Sequence, residues 1–364
     1  MLFSFRASRR ARCACLAFAA FWLEGCAGKL TVPALFPARS AWVAPGDDML
    51  EPPLAADATR VFSVGRGGTL RALDRTTGSV VWSLAGRAGV LSAGEGLVLL
   101  RQQDGSVWGL DPATGETRWQ AATAVRGALP VAVAAGKVVV AGDGVACLEA
   151  ASGKPLWSSP PSLRSSAPPV LVGPWVFVGG EDGGLRCLDA ATGALLWTYA
   201  SGAALGAPPL LDEQQRILLG TTARRVVALR GDKRGRERWR WKVGGDVRAA
   251  LALHDDNVVV AAYDAVLYAI DRGNGHLSWR APLPSRPASG PLLLGHAVLV
   301  ACHENELVGF DARTGKRLGG LTTPAGLQTP PLLVGDWLYV GLRDRSLLAL
   351  RLGAETTPEP SPHP

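Results

Sequence analysis

The sequence predicts an all-β fold, an eight-bladed β-propeller of four-stranded antiparallel blades whose ring is closed by an N-terminal strand. Three observations predict it. One motif returns eight times, 37 to 41 residues apart, along the 364-residue chain, and such periods mark arrays whose units bury their apolar faces against one another. Within each copy, short β-branched runs alternate with Gly, Asp and Pro turns at the spacing of antiparallel strands. Runs such as Val258-Val259-Val260-Ala261-Ala262 are apolar without alternation, so both faces are covered, as they are in blades stacked around an axis.

The first element is a leader. Arg6, Arg9, Arg10 and Arg12 precede an apolar stretch from Cys13 to Leu23, the layout of an export signal too short to span a bilayer. It ends in Leu23-Glu24-Gly25-Cys26, which resembles a bacterial lipobox except for the charge of Glu24. That resemblance implies cleavage before Cys26, which would carry the acyl chains. Arg9-Arg10 is also twin-arginine-like, but hydrophobic residues do not follow at once. The expected organisation is a signal peptide at 1–25, a linker at 26–38, the propeller at 39–352 and a Pro-rich disordered tail at 353–364. Removing the signal lowers the net charge from +7 to +4, so composition offers no argument for nucleic acid. It also leaves Cys147, Cys187 and Cys302 in apolar strands, where they are expected as buried small side chains rather than a disulfide framework.

The repeat comes next. Leu73-Asp74-Arg75-Thr76-Thr77-Gly78 with Trp82 returns as Leu110-Asp111 to Gly115 with Trp119, then at Gly153 with Trp157 and Gly193 with Trp197. Further copies end in Trp239 and Trp279, a seventh runs from Phe310-Asp311 to Gly315, and the eighth stops near Arg351. The Asp can accept backbone N–H groups ahead of it, and the Gly supplies a positive φ. Eight copies of the first three strands are followed by only seven fourth strands. The missing one is supplied by Arg39-Ser40-Ala41-Trp42-Val43-Ala44, which matches Leu195 to Ala200; its pairing in the last blade would remove two free edges.

The pattern Ala72-Leu73-Asp74-Arg75-Thr76-Thr77-Gly78-Ser79-Val80-Val81-Trp82 resembles the tryptophan-docking motif of the PQQ-like repeat superfamily, over residues 39–352. The resemblance implies that Trp42, Trp82, Trp119, Trp157, Trp197, Trp239 and Trp279 dock between blades. Two branches of the superfamily follow from it. Quinoprotein dehydrogenases hold PQQ and calcium on the axis; BamB-type lipoproteins of the outer-membrane barrel-assembly machinery are bare propellers. This chain has the second layout. It lacks the adjacent Cys-Cys pair and the long insertions of the dehydrogenases. The resemblance therefore implies a non-enzymatic scaffold on the periplasmic side of an outer membrane, with no cofactor. A membrane protein or assembly-complex subunit is the expected partner. The alternatives are a PQQ- or small-ligand-binding propeller, a propeller with other partners, and a soluble periplasmic or secreted protein.

No catalytic constellation appears. Cys302-His303-Glu304-Asn305-Glu306 aligns with Gly65-Arg66-Gly67-Gly68-Thr69 and reads as a hairpin turn rather than a calcium site. His254, His276, His296, His303 and His363 lack metal-ligand spacing. No metal or cofactor site is expected. Trp108 and Tyr268 share a third-strand position and are expected in the inter-blade core. Trp175 and Trp337, at the starts of second strands, could be partner anchors or lie under loops. The basic fifth copy stands out. From Arg224 to Lys242 the segment sums to +7, leaving about −3 for the rest of the mature chain. Arg230 replaces the turn Asp, and one extra residue precedes Trp239. A period of two places Arg238, Arg240 and Lys242 on one face. Arg234, Arg236, Arg238 and Arg240 are thus the candidate partner surface for a monomeric propeller, against the alternative that they only protect an edge.

Overall fold

The computed structural model describes residues 38–159, 164–231 and 235–353. Cys26, Arg234, the proposed signal and the proposed tail from residue 354 lie outside the described residues. The chain forms eight four-stranded antiparallel sheets. The first blade runs from Leu50 to Leu84, and six more follow in chain order, each by the same up-and-down path. The eighth blade takes Leu332–Val334, Trp337–Gly341 and Leu347–Arg351 from the C-terminal end. Its outer strand is Arg39–Ala44, with Trp42 opposite Ala349, so the ring closes as the copy count requires. The first strands touch from blade one through blade four, between blades six and seven, and between blades eight and one, and therefore line the axis.

The turn between third and fourth strands is built alike in five of the blades. Asp74 Oδ1 accepts from the backbone N–H groups of Thr76 and Thr77, both at 2.9 Å. Asp111, Asp189, Asp271 and Asp311 do the same two and three residues ahead. The Thr76 hydroxyl and these N–H donors hold the Asp74 carboxyl down at about 2. These carboxylates are turn caps.

A β-bulge follows each turn, as between Gly109 and Leu110 and between Ala269 and Ile270. It re-aims the next outer-strand residue, which is the tryptophan. The residue opposite that tryptophan is always small: Ala72, Gly109, Cys147, Cys187, Ala228, Ala269 and Ala349. This is why two free, buried cysteines stand where they do. Burial pushes the thiols of Cys147 and Cys187 up to about 11 and 12.

Each indole then docks on the turn of the next blade. Trp119 Nε1 donates to the Ala150 carbonyl at 2.8 Å, and Trp42 reaches Arg75, Trp82 Pro112, Trp157 Ala190, Trp239 Arg272 and Trp279 Ala312 in the same way. The rings lie over the turn glycines. A Cβ at Gly153, whose φ is +70°, would come within 2.5 Å of the Trp119 ring, and Gly235 is as close to Trp197. Blade seven breaks the rule, with Gly319 opposite Gly309. The reason is topological. Blade eight receives its fourth strand from the N-terminus, so it has no turn between third and fourth strands to receive an indole. Seven tryptophans match seven turns.

Candidate partner surface

The outer strand of blade five, Arg236–Lys242, exposes Arg236, Glu237, Arg238, Arg240 and Lys242, buries Trp239 and half-buries Trp241. Its register is electrostatically unusual. Arg230 stands opposite Arg236, and Arg225 opposite Lys242. One strand further in, Arg216 stands opposite Arg230. Like charges in direct cross-strand register destabilise a sheet. Arg216 is compensated by the buried Asp212 at 2.5 Å, which lies 3.6 Å from Arg272 of blade six; Arg272 also pairs with Glu213 at 2.5 Å. No comparable acid faces Arg230 or Arg236 among the described residues.

The period-of-two expectation for this strand is corrected by its bulge. Pairing shifts between Ala228 opposite Trp239 and Leu229 opposite Glu237, which leaves Arg238 as the extra residue. Arg238 Nε donates to the Gly273 carbonyl of blade six at 2.9 Å. Arg240 turns to Glu237 at 2.6 Å and to the Tyr199 hydroxyl of blade four at 3.4 Å. The two guanidiniums therefore reach towards opposite neighbours. Burial and the bond to Glu237 push the Tyr199 hydroxyl up to about 12.

The ring face carrying the second-to-third-strand turns has a cleft of 530 Å³ between blades one and two. Glu51, Arg66, Gln102 and Asp104 line it, together with Arg101. Arg101 is 1 % exposed, and its guanidinium donates to the carbonyls of Leu129, Ala141 and Val125. It ties blade two to blade three, and burial pushes it down to about 10. Cys302 to Glu306 form the equivalent hairpin of blade seven, with Glu304 and Asn305 at φ of +70° and +72°, as the turn reading expects. Tyr268 is buried in the blade-five-to-six core and Trp108 packs half-buried beneath the Arg87 guanidinium. Trp175 and Trp337 are both half-buried, against Phe177 and stacked on Tyr339 respectively; neither is an exposed anchor.

Two of the histidines that lack metal-ligand spacing along the chain are brought together by the fold. His254 Nε2 and His296 Nδ1 are 2.9 Å apart, and with Asp255 they form a three-residue group. Spacing along the chain hid it, because the pair is 42 residues apart, one repeat, and is joined only by the contact of neighbouring blades. A calcium–quinone centre needs converging hard oxygen ligands. Two imidazoles and one carboxylate are a different donor set, and the turn at Cys302–Glu306 contributes to no such group among the described residues. The residues present do not fit that cofactor.

Fold and docking motif together define an eight-bladed propeller of the PQQ-like repeat class. Residues 37–146 and 213–333, more than half of the chain, match the family described as outer membrane protein assembly factor BamB, and the chain belongs to that family. The crystal structure of BamB from Moraxella catarrhalis superposes with a TM-score of 0.75 at 18% identity, covering 88% of this chain and 99% of that one. The computationally designed Ika8 protein superposes equally well, with a TM-score of 0.75 at 16% identity over 86% of this chain and 99% of its own. Quinohemoprotein alcohol dehydrogenase from Comamonas testosteroni matches with a TM-score of 0.71 at 14% identity, over 90% of this chain and 78% of its own. At these identities the likeness shows the fold alone. No curated protein sequence matches the chain.

Proposed function

We propose that this protein is a non-enzymatic interaction scaffold of the cell envelope. It is held to the outer membrane through Cys26, faces the periplasm, and offers the outer strand of blade five to an acidic surface of a membrane-protein assembly complex. The observation that carries the partner surface is the pair of like-charge registers, Arg230 with Arg236 and Arg225 with Lys242. A sheet gains nothing from such pairs, whereas an acidic partner gains directly from two adjacent rows of cationic side chains. Edge protection alone would be served by single charges. Membership of the BamB family supports an assembly role, and the short turns around the ring suit a scaffold.

The test is Arg236→Glu, which converts a repulsive cross-strand pair into an attractive one. The variant is expected to melt at or slightly above the wild-type temperature, a gain of about 0.2–1 kcal/mol. It is also expected to co-purify far less partner from detergent-extracted membranes, with wild-type capture falling as salt rises. Unchanged capture by Arg236→Glu would refute this surface. Stoichiometric binding of PQQ by the purified protein would instead favour the ligand-binding propeller.

A further inference from the structure

We propose that His254, Asp255 and His296 form a zinc site that staples blade six to blade seven. His254 ends the first strand of blade six, Ala252–His254, and Asp255 opens the tight turn to Asn257. His296 lies in the equivalent turn of blade seven, between Leu294 and Ala297. The ring therefore brings one imidazole from each blade to the same edge. One ligand atom from each of the three residues lies within 4.8 Å of the other two.

The His–His contact of 2.9 Å is close to the separation of about 3.3 Å expected of two nitrogens bound tetrahedrally to zinc at 2.0–2.1 Å. A small opening would replace the shared proton with the metal. Each imidazole can stay neutral by carrying its proton on the other nitrogen, so coordination needs no net proton release. The pair as it stands is incompletely satisfied. His254 is 6 % exposed, and its Nδ1 has no hydrogen-bond partner; the nearest acid, Asp255, is 3.6 Å away. Whichever nitrogen carries the proton, one buried ring atom lacks its complement. With zinc on Nε2, Nδ1 would carry the proton and Asp255 would be available either to orient it or to complete the ligand set.

The donor set selects the metal. Imidazole and carboxylate together suit zinc and its transition-metal neighbours, not calcium or magnesium. Asp255 is exposed and His296 half-buried, so the group is reached from solvent on that side. Asp311 adds a favourable charge nearby and Arg313 an opposing one.

The experiment is a titration of untagged, chelator-treated protein with zinc chloride alone, read by competition with a chromophoric chelator and by thermal melting. One zinc per chain and a rise in melting temperature are expected, with calcium and magnesium unable to compete. His296→Gln should abolish both effects while the metal-free variant melts like the metal-free wild type. Asp255→Asn, on the exposed side, should weaken binding about 10–100-fold if it orients His254 and more if it ligates. His254→Gln is a weaker test because the side chain is buried. Zinc held equally by wild type and His296→Gln, or no saturable binding by wild type, would overturn the proposal.

Discussion

If the indoles lock the ring, removing one and crowding its own seat should give non-additive losses. Trp119 is 7 % exposed, bonds to the Ala150 carbonyl at 2.8 Å, and lies against Gly153. Trp119→Ala should cost about 3–5 kcal/mol, as truncation of a buried aromatic does. At about 2 °C per kcal/mol for a chain of this size, melting should fall by about 6–10 °C. Gly153→Ala adds two penalties. The left-handed backbone, at φ +70°, costs about 1–2 kcal/mol for any residue with a Cβ, and the new methyl would sit 2.5 Å from the Trp119 ring. Once Trp119 is alanine the second penalty disappears and only the backbone cost remains. The double variant should therefore be more stable than the sum of the singles by about 1 kcal/mol or more. Chemical denaturation of the four proteins measures the cycle. Additive losses, or a Trp119→Ala protein melting within about 2 °C of wild type, would refute the docking account.

Three further predictions rest on other parts of the molecule. Deleting residues 27–46 removes Trp42 and uncovers the strand Leu347–Arg351, so the truncated protein should melt lower and aggregate more; calorimetry and light scattering check it. The turn carboxylates of Asp74, Asp111, Asp189 and Asp311 are held below their ordinary values by hydrogen bonds, so the stability they contribute is whole above about pH 4 and lost as pH falls towards 2. Asp74→Asn should flatten stability across that window, measured by urea unfolding at several pH values. Cys26→Ser should move the protein from the membrane fraction to the soluble exported fraction, since several acyl chains hold firmly; membrane fractionation and the mass of the mature protein decide it.

The fold was legible because its determinants are local and repeated. Asp74 to Gly78 is a turn whatever surrounds it, and seven copies with an eighth cut short required an N-terminal strand to finish the last blade. The docking role of Trp42, Trp82 and Trp119 was legible only through the resemblance to the tryptophan-docking motif, and the small residue opposite each indole is not written in the spacing of the repeat. That requirement comes from the bulge, a register event that no spacing along one strand reveals. The bulge also separated Arg238 from Arg240, which simple alternation had placed on one face. The missing tryptophan at Gly319 makes sense only once the ring is closed and blade eight is seen to have no receiving turn. What the sequence by itself determined is everything set within one repeat: turn chemistry, strand order, the count of blades and the concentration of charge in blade five. What only the tertiary structure decided is what neighbouring blades bring together, His254 with His296 and Arg101 with the carbonyls of blade three. Those contacts join residues roughly one repeat apart, and chain spacing carries no information about which turn edges meet when two sheets twist and stack.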